Sequence, residues 1–178
     1  NHMKDNGATL LSEVKTSPSG LKHFFVEDPN GNIFNIVESQ DFFTDTKHAS
    51  HCGGVYGSII GVSDIDASLK LYRDILGYDK VLSDETGVFD DFNHFNSGDK
   101  KVRRVLLTHS QERKGPFSKL LGSSQIELVQ SLERTDCQKI FKDRFWGDWG
   151  FIHLCFDIQG MDALMNECET KGFPFTVD

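Results

Sequence analysis

Two copies of one pattern, a strand running straight into an amphipathic helix, limit the folds open to this chain. The first copy is GSIIGVSDIDASLKLYRDILGYDKV, Gly57 to Val81. From Gly57 to Ser63 the residues alternate, with Ser58, Ile60 and Val62 on one side and Gly57, Ile59 and Gly61 on the other. Ser63, followed three residues later by Asp66, predicts a capping-box-like helix start, and Ile65, Leu69, Tyr72 and Leu76 form one apolar stripe over 64–76. Gly77 supplies the left-handed stop, and a second strand is expected near 78–84. The second copy is GFIHLCFDIQGMDALMNECETKGFPF. A shift of 96 positions lays Gly57 on His153, Val62 on Ile158 and Asp66-Ala67 on Asp162-Ala163. Its stripe is Met161, Leu164, Met165 and Cys168, predicting a helix over 161–171 that Gly172 stops. A closing strand is duplicated as well. GNIFNIVES (31–39) and SSQIELVQS (123–131) align at a shift of 92, Asn35 on Glu127 and Ile36-Val37 on Leu128-Val129. Repeated openings and closings of this kind mean a chain built of modules.

The order of these pieces sets the organisation. Residues 1–40 read as the back half of a βαβββ module. They comprise the last turn of a helix at HMKDNG (although Asn1-His2-Met3 also fits a cloning remnant), a strand over 8–14, a turn at Ser17-Pro18-Ser19-Gly20, a strand over 22–26, a tight Asp28-Pro29-Asn30-Gly31 hairpin and a strand over 32–38. Residues 41–54 form a polar linker. Residues 55–131 hold one complete module, with later strands at 102–109 and 125–130 and two long excursions, DETGVFDDFNHFNSGDKK and QERKGPFSKLLGSS. Excursions of this length are read as lids or partner contacts, or as elaborate surface loops. Residues 132–149 are an aromatic connector, and 150–178 open a further module with a strand over 152–158. Either the chain belongs to a longer tandem protein, or 1–40 completes 150–178 in a permuted manner. The helix end present in both pieces favours the first.

VSDIDASLKLYRDILGY, EDPNGNIFNIVE, SQIELVQ and GFIHLCFDIQGMDAL resemble the vicinal oxygen chelate superfamily, which includes glyoxalase, bleomycin-resistance and extradiol dioxygenase proteins. The resemblance implies an α+β fold in which repeated βαβββ modules form a curved mixed sheet, a cup with its helices on the outer face. It also implies that paired modules, within the chain or in a homodimer, line that cup.

Strand parity then nominates residues. If Ile152, Leu154, Phe156 and Ile158 pack beneath a helix, then Phe151, His153, Cys155 and Asp157 point to the opposite face. Likewise Ile126 and Leu128 pack against helix, leaving Gln125, Glu127 and Val129 on that opposite face. In metal-binding relatives the first and last strands of each module offer one ligand apiece. Carried over, the resemblance makes Glu127 and His153 metal ligands, with Glu127 also the catalytic candidate and Zn, Ni, Mn or Fe the candidate cofactor. The other two positions depart from the pattern, since Gly57 has no side chain and Asn35 is a poor ligand. His51, His94 and His109 are further candidates for a third donor. Gly57, Gly61, Phe151, Phe89 and Phe92 are expected to line the substrate pocket. Two functions follow: a metal-assisted enzyme acting on a small oxygen-bearing substrate, or a metal-free small-molecule binding protein of the antibiotic-sequestering type.

Composition narrows the partners. The 178 residues carry a formal charge of −8 with no Lys/Arg run, which argues against nucleic acid and anionic membranes. No apolar run approaches the roughly 18–20 residues that span a bilayer. Cys52, Cys137, Cys155 and Cys168 are scattered and read as reduced, with a cytoplasmic location as the expectation.

Overall fold

A computed structural model of the chain describes residues 2–39, 52–112, 114, 124–134 and 136–176. His51, most of the linker and most of the second excursion lie outside the described residues. Among the described residues the fold is mixed α+β, with two four-stranded sheets and few helices.

The larger sheet holds β5 (Gly57–Gly61), β6 (Lys80–Gly87), β7 (Val102–Thr108) and β8 (Gln125–Ser131) in the order β5-β8-β7-β6. β5 runs parallel to β8, with Gly57 opposite Gln125 and Ile59 opposite Glu127. The remaining pairs are antiparallel. Helix α2 (Ile65–Tyr72) crosses back over this sheet. Its expected stripe is the core: Ile65 and Leu69 are buried with Tyr78, Val105, Leu107, Ile126 and Leu128, and Ile60, Val62, Tyr72 and Leu76 pack around them. Each fully buried side chain of this size stabilises by about 1.5–3 kcal/mol.

Two details of α2 differ from the sequence expectation. The cap is Asp64 rather than Ser63, its carboxylate accepting from the Ala67 amide at 3.0 Å. The regular helix stops at Tyr72, four residues before Leu76, because the last turn widens. Leu76 N–H donates to the Leu71 carbonyl and Tyr78 N–H to the Tyr72 carbonyl, with Gly77 at φ +74°.

The smaller sheet is built around β3 (Lys22–Glu27). β4 (Ile33–Val37) pairs along one side of it, and β1 (Thr9–Leu10) and β2 (Lys15–Thr16) pair with its two ends on the other. The single strand expected over 8–14 is therefore broken. Ser12 is the cause: its hydroxyl, not a backbone carbonyl, takes the Phe25 N–H at 3.0 Å. The hairpin between β3 and β4 is closed by Asp28, whose carboxylate accepts from the Asn30 and Asn32 amides at 2.8 Å while Gly31 sits at φ +84°.

Both ends of the chain carry the same helix stop. After α1 (His2–Asp5), Ala8 N–H reaches the Met3 carbonyl and Gly7 N–H the Lys4 carbonyl. After α3 (Met161–Thr170), Phe173 N–H reaches the Cys168 carbonyl and Gly172 N–H the Glu169 carbonyl. Each is a 6→1 and 5→2 pair around a glycine of positive φ. The strand expected over 152–158 does not form. That segment alternates as a strand should, but no backbone ladder joins it to either sheet, and a strand without a partner leaves its amides to solvent.

Leu69→Asp is expected to abolish cooperative unfolding, because it places an unpaired carboxylate 7% exposed against the sheet at a cost of several kcal/mol. A thermal melt followed by circular dichroism checks it, and a soluble variant melting like the wild type would remove the stripe from the core.

Candidate functional site

The face of the larger sheet opposite α2 is polar at its centre. Alternation along β7 and β8 sends Val105, Leu107, Ile126 and Leu128 under the helix and Arg104 and Glu127 to the other side. Arg104 is 1% exposed. A guanidinium without water needs its charge and its donors met by protein, and β8 and the excursion after β6 supply the partners. Its Nη1 donates to both oxygens of Asp91 at 2.8 and 2.7 Å, and its Nε donates to Glu127 Oε1 at 2.6 Å. The plane lies 3.9 Å from the Phe92 ring centroid and 4.8 Å from that of Phe89.

Asp91 and Phe92 come from a 3-10 turn, Asp90–Phe92, within the first acidic and aromatic excursion. The turn folds back tightly: a Cβ at Gly98 would stand 2.1 Å from the Phe92 carbonyl oxygen, so only glycine fits there. From this turn the network continues into the smaller sheet. Asp91 Oδ2 lies 3.2 Å from His23 Nε2, and His23 Nδ1 donates to Asn35 Oδ1 at 2.8 Å. Phe25 packs on Phe92, Phe95 and His94 beside it. Asn35–His23–Asp91–Arg104–Glu127 is thus one continuous polar chain across both sheets. Lys15 of β2 adds an outer ion pair to Asp90 at 3.1 Å.

The protonation states follow from the partners. Because an amide oxygen only accepts, His23 Nδ1 must carry a proton, and a neutral ring would then turn the bare Nε2 lone pair toward a carboxylate. Burial alone would push the imidazole down, but the neighbouring Asp91 carboxylate and the bond to Asn35 win and hold it above its ordinary value of 6.5. Burial likewise works to raise Asp91, but His23 and Arg104 hold its carboxyl below the ordinary value of 3.8. Burial pushes His94 the other way, downward.

The residues nominated from sequence separate into two groups. Glu127 and Asn35, 92 positions apart, do join one network, although through three intermediaries. Phe89 and Phe92 lie on Arg104. Gly57 is bare for a backbone reason, since a Cβ there would meet the Gln125 carbonyl oxygen at 2.3 Å. Gly61, by contrast, faces open space. His153 is exposed and stacks on Trp146, rings 5.3 Å apart, and Phe151 packs on Phe34 of β4 at 5.5 Å. His109 is bonded to the Gly77 carbonyl at 2.6 Å.

The donor set does not suit a divalent metal. Glu127 is engaged by Arg104, Gly57 cannot carry a ligand, and no three His, Cys, Asp or Glu side chains converge among the described residues. Sequence reasoning missed Arg104, Asp91 and His23. A signal for Arg104 was present in VRRVLLTH: in a strand, adjacent arginines must take opposite faces. Arg103 accordingly points outward to Asp84 and Asp66, and Arg104 inward.

The stability His23 adds is complete below 6.5 and is lost as pH rises through its raised folded value. Asp91 adds stability above 3.8 that is lost as pH falls through its lowered folded value. His94 opposes His23, so the contribution is isolated by difference. The gap in melting temperature between wild type and His23→Gln is expected to widen as pH falls from about 8 to about 6, and a constant gap would rule out the imidazolium.

No helix among the described residues is long and apolar enough to cross a membrane. Comparison with curated proteins and with solved structures gives no match. One family matches, over residues 58–178 and so over most of the chain: the chain belongs to the glyoxalase/bleomycin resistance protein/dioxygenase superfamily.

Proposed function

We propose that this domain binds a small molecule on the inner face of its sheets without a resident metal, in the manner of the sequestering members of the superfamily. The observation that carries this reading is the bond from buried Arg104 to Glu127, which supplies within the protein the positive charge a metal would otherwise bring to that carboxylate. The ligand would meet the open space over Gly61, the rings of Phe89 and Phe92, and the second oxygen of Glu127. A cleft of about 300 Å³ bounded by Ser17, Glu85, Phe89 and Asp91 leads toward the same network. Such a wall suits a small oxygen-bearing compound with an apolar ring and a hydrogen-bond donor.

The enzyme reading, with Glu127 and His153 holding a divalent ion, keeps the support of the chemistry of those two side chains. It requires Arg104 to release Glu127 and His153 to leave Trp146.

Calorimetric titration of Ni, Zn, Mn and Fe(II) separates the two. No ion is expected to bind at one per chain, and His153→Ala is expected to behave as the wild type. Stoichiometric binding lost in both His153→Ala and Glu127→Gln would establish the enzyme reading instead. A thermal-shift screen of small oxygenated aromatics tests the pocket directly. A compound at about 100 times its Kd adds about 2.7 kcal/mol, and Gly61→Phe is expected to melt normally and lose the shift.

A further inference from the structure

The bonds that hold Arg104 leave one of its nitrogens over. A guanidinium carries donors on Nε and on both terminal nitrogens. Nε is taken by Glu127 and Nη1 by Asp91, while Nη2 has no hydrogen-bond partner among the described residues. Nor is Nη2 sealed from water. The sealed side-chain atoms that lack a hydrogen bond among the described residues are His23 Nε2 and His94 Nε2. An unmet pair of N–H donors, on a side chain 1% exposed, therefore opens to solvent through a narrow window.

Strand register shows what borders the window. Arg104 lies opposite Val129 of β8, and Val129 opposite Gly61 of β5, so the three form one row across the inner face. In the next row Glu127 lies between Leu106 and Ile59. Strands stand about 4.8 Å apart, which puts the open space over Gly61 roughly 10 Å from Arg104, with Val129 as the floor between them. Val129 and Leu106 are half-buried and Ile59 is exposed, so this floor is apolar and open. On the other side of Arg104, β6 places Glu85 opposite it. Three carboxylates, Asp91, Glu127 and Glu85, thus surround one guanidinium.

We propose that Arg104 Nη2 is the donor by which the inner face recognises its ligand, and that the ligand is a neutral aryl carboxamide. This rests on the small-molecule reading above and names the compound class it takes. The amide carbonyl accepts from Nη2, the amide N–H beside it donates to the second oxygen of Glu127, and the ring lies over Val129 toward Gly61. Neutrality follows from the surrounding charge. A ligand carboxylate would add a further anion to the three present with no new cation, in a site where charges are weakly screened. A ligand ammonium could sit on Glu127, but it would face Arg104 and leave Nη2 unmet.

Replacing Arg104 would leave two carboxylates unpaired, so the test changes the ligand. The full chain with isotope-labelled arginine is titrated with benzamide, acetophenone and benzoate at one pH. The Arg104 guanidinium resonances, recognised by their contacts with the Phe92 ring, are followed. Benzamide is expected to shift Nη2 while Nη1 stays in place. It is expected to bind at least about tenfold more tightly than benzoate, with acetophenone, which keeps the carbonyl and lacks the N–H, in between. Benzoate or acetophenone binding as tightly as benzamide, or benzamide binding with Nη2 unmoved, would overturn the assignment and leave the small-molecule reading standing. Failure of benzamide to bind while another compound of the thermal-shift screen binds would do the same. Only if nothing in that screen binds do both readings fall together.

Discussion

A buried guanidinium cannot be left alone, and most of the tertiary arrangement follows from how Arg104 is satisfied. Stripping water from an ion of this size costs several kcal/mol even after relaxation, so its partners must be in place together. β8 supplies Glu127, and the excursion after β6 supplies Asp91, Phe89 and Phe92. Asp91 then faces His23, which ties the smaller sheet to the larger. One side chain on a central strand thus dictates the fold of a loop and the placement of a second sheet. With His23 protonated, two cations face two anions, and its partners accordingly raise the imidazole pKa against the opposing effect of burial.

The part of this excursion that follows β6, residues 88–101, gains a clear role from this. Its acidic and aromatic residues do not form a solvated flap. Phe92, His94 and Phe95 cluster on Phe25, and the chain turns so closely that Gly98 tolerates no side chain. Aromatic edge-to-face contacts of this kind contribute about 0.5–1.5 kcal/mol each beyond buried area. The loop therefore acts as the joint between the sheets.

What could be read in the sequence was what local period encodes. β5, α2 and β8 were legible because alternation at two residues and recurrence at 3.6 leave one solution each. The break after Leu10 was not legible, because a serine hydroxyl standing in for a carbonyl leaves no periodic mark. Nor was the alliance of His23 with Asp91, which lie 68 positions apart and signal nothing to each other along the chain. Residues 152–158 show the converse case. Their pattern is that of a strand, but a pattern describes which side chains share a face and says nothing about whether a neighbour has arrived.

The bare position at Gly57 has a consequence for how this domain can change over generations. Its glycine is enforced by the backbone of Gln125, so a codon change there to histidine or glutamate meets the adjoining strand before it can offer a donor to the cup. Regaining a ligand at this point takes a coordinated shift of two paired strands. The parallel ladder from Gly57 to Gly61 resists that shift at five successive rungs. Substitution along β5 therefore has an easy route at Gly61, where the space is open, and almost none at Gly57.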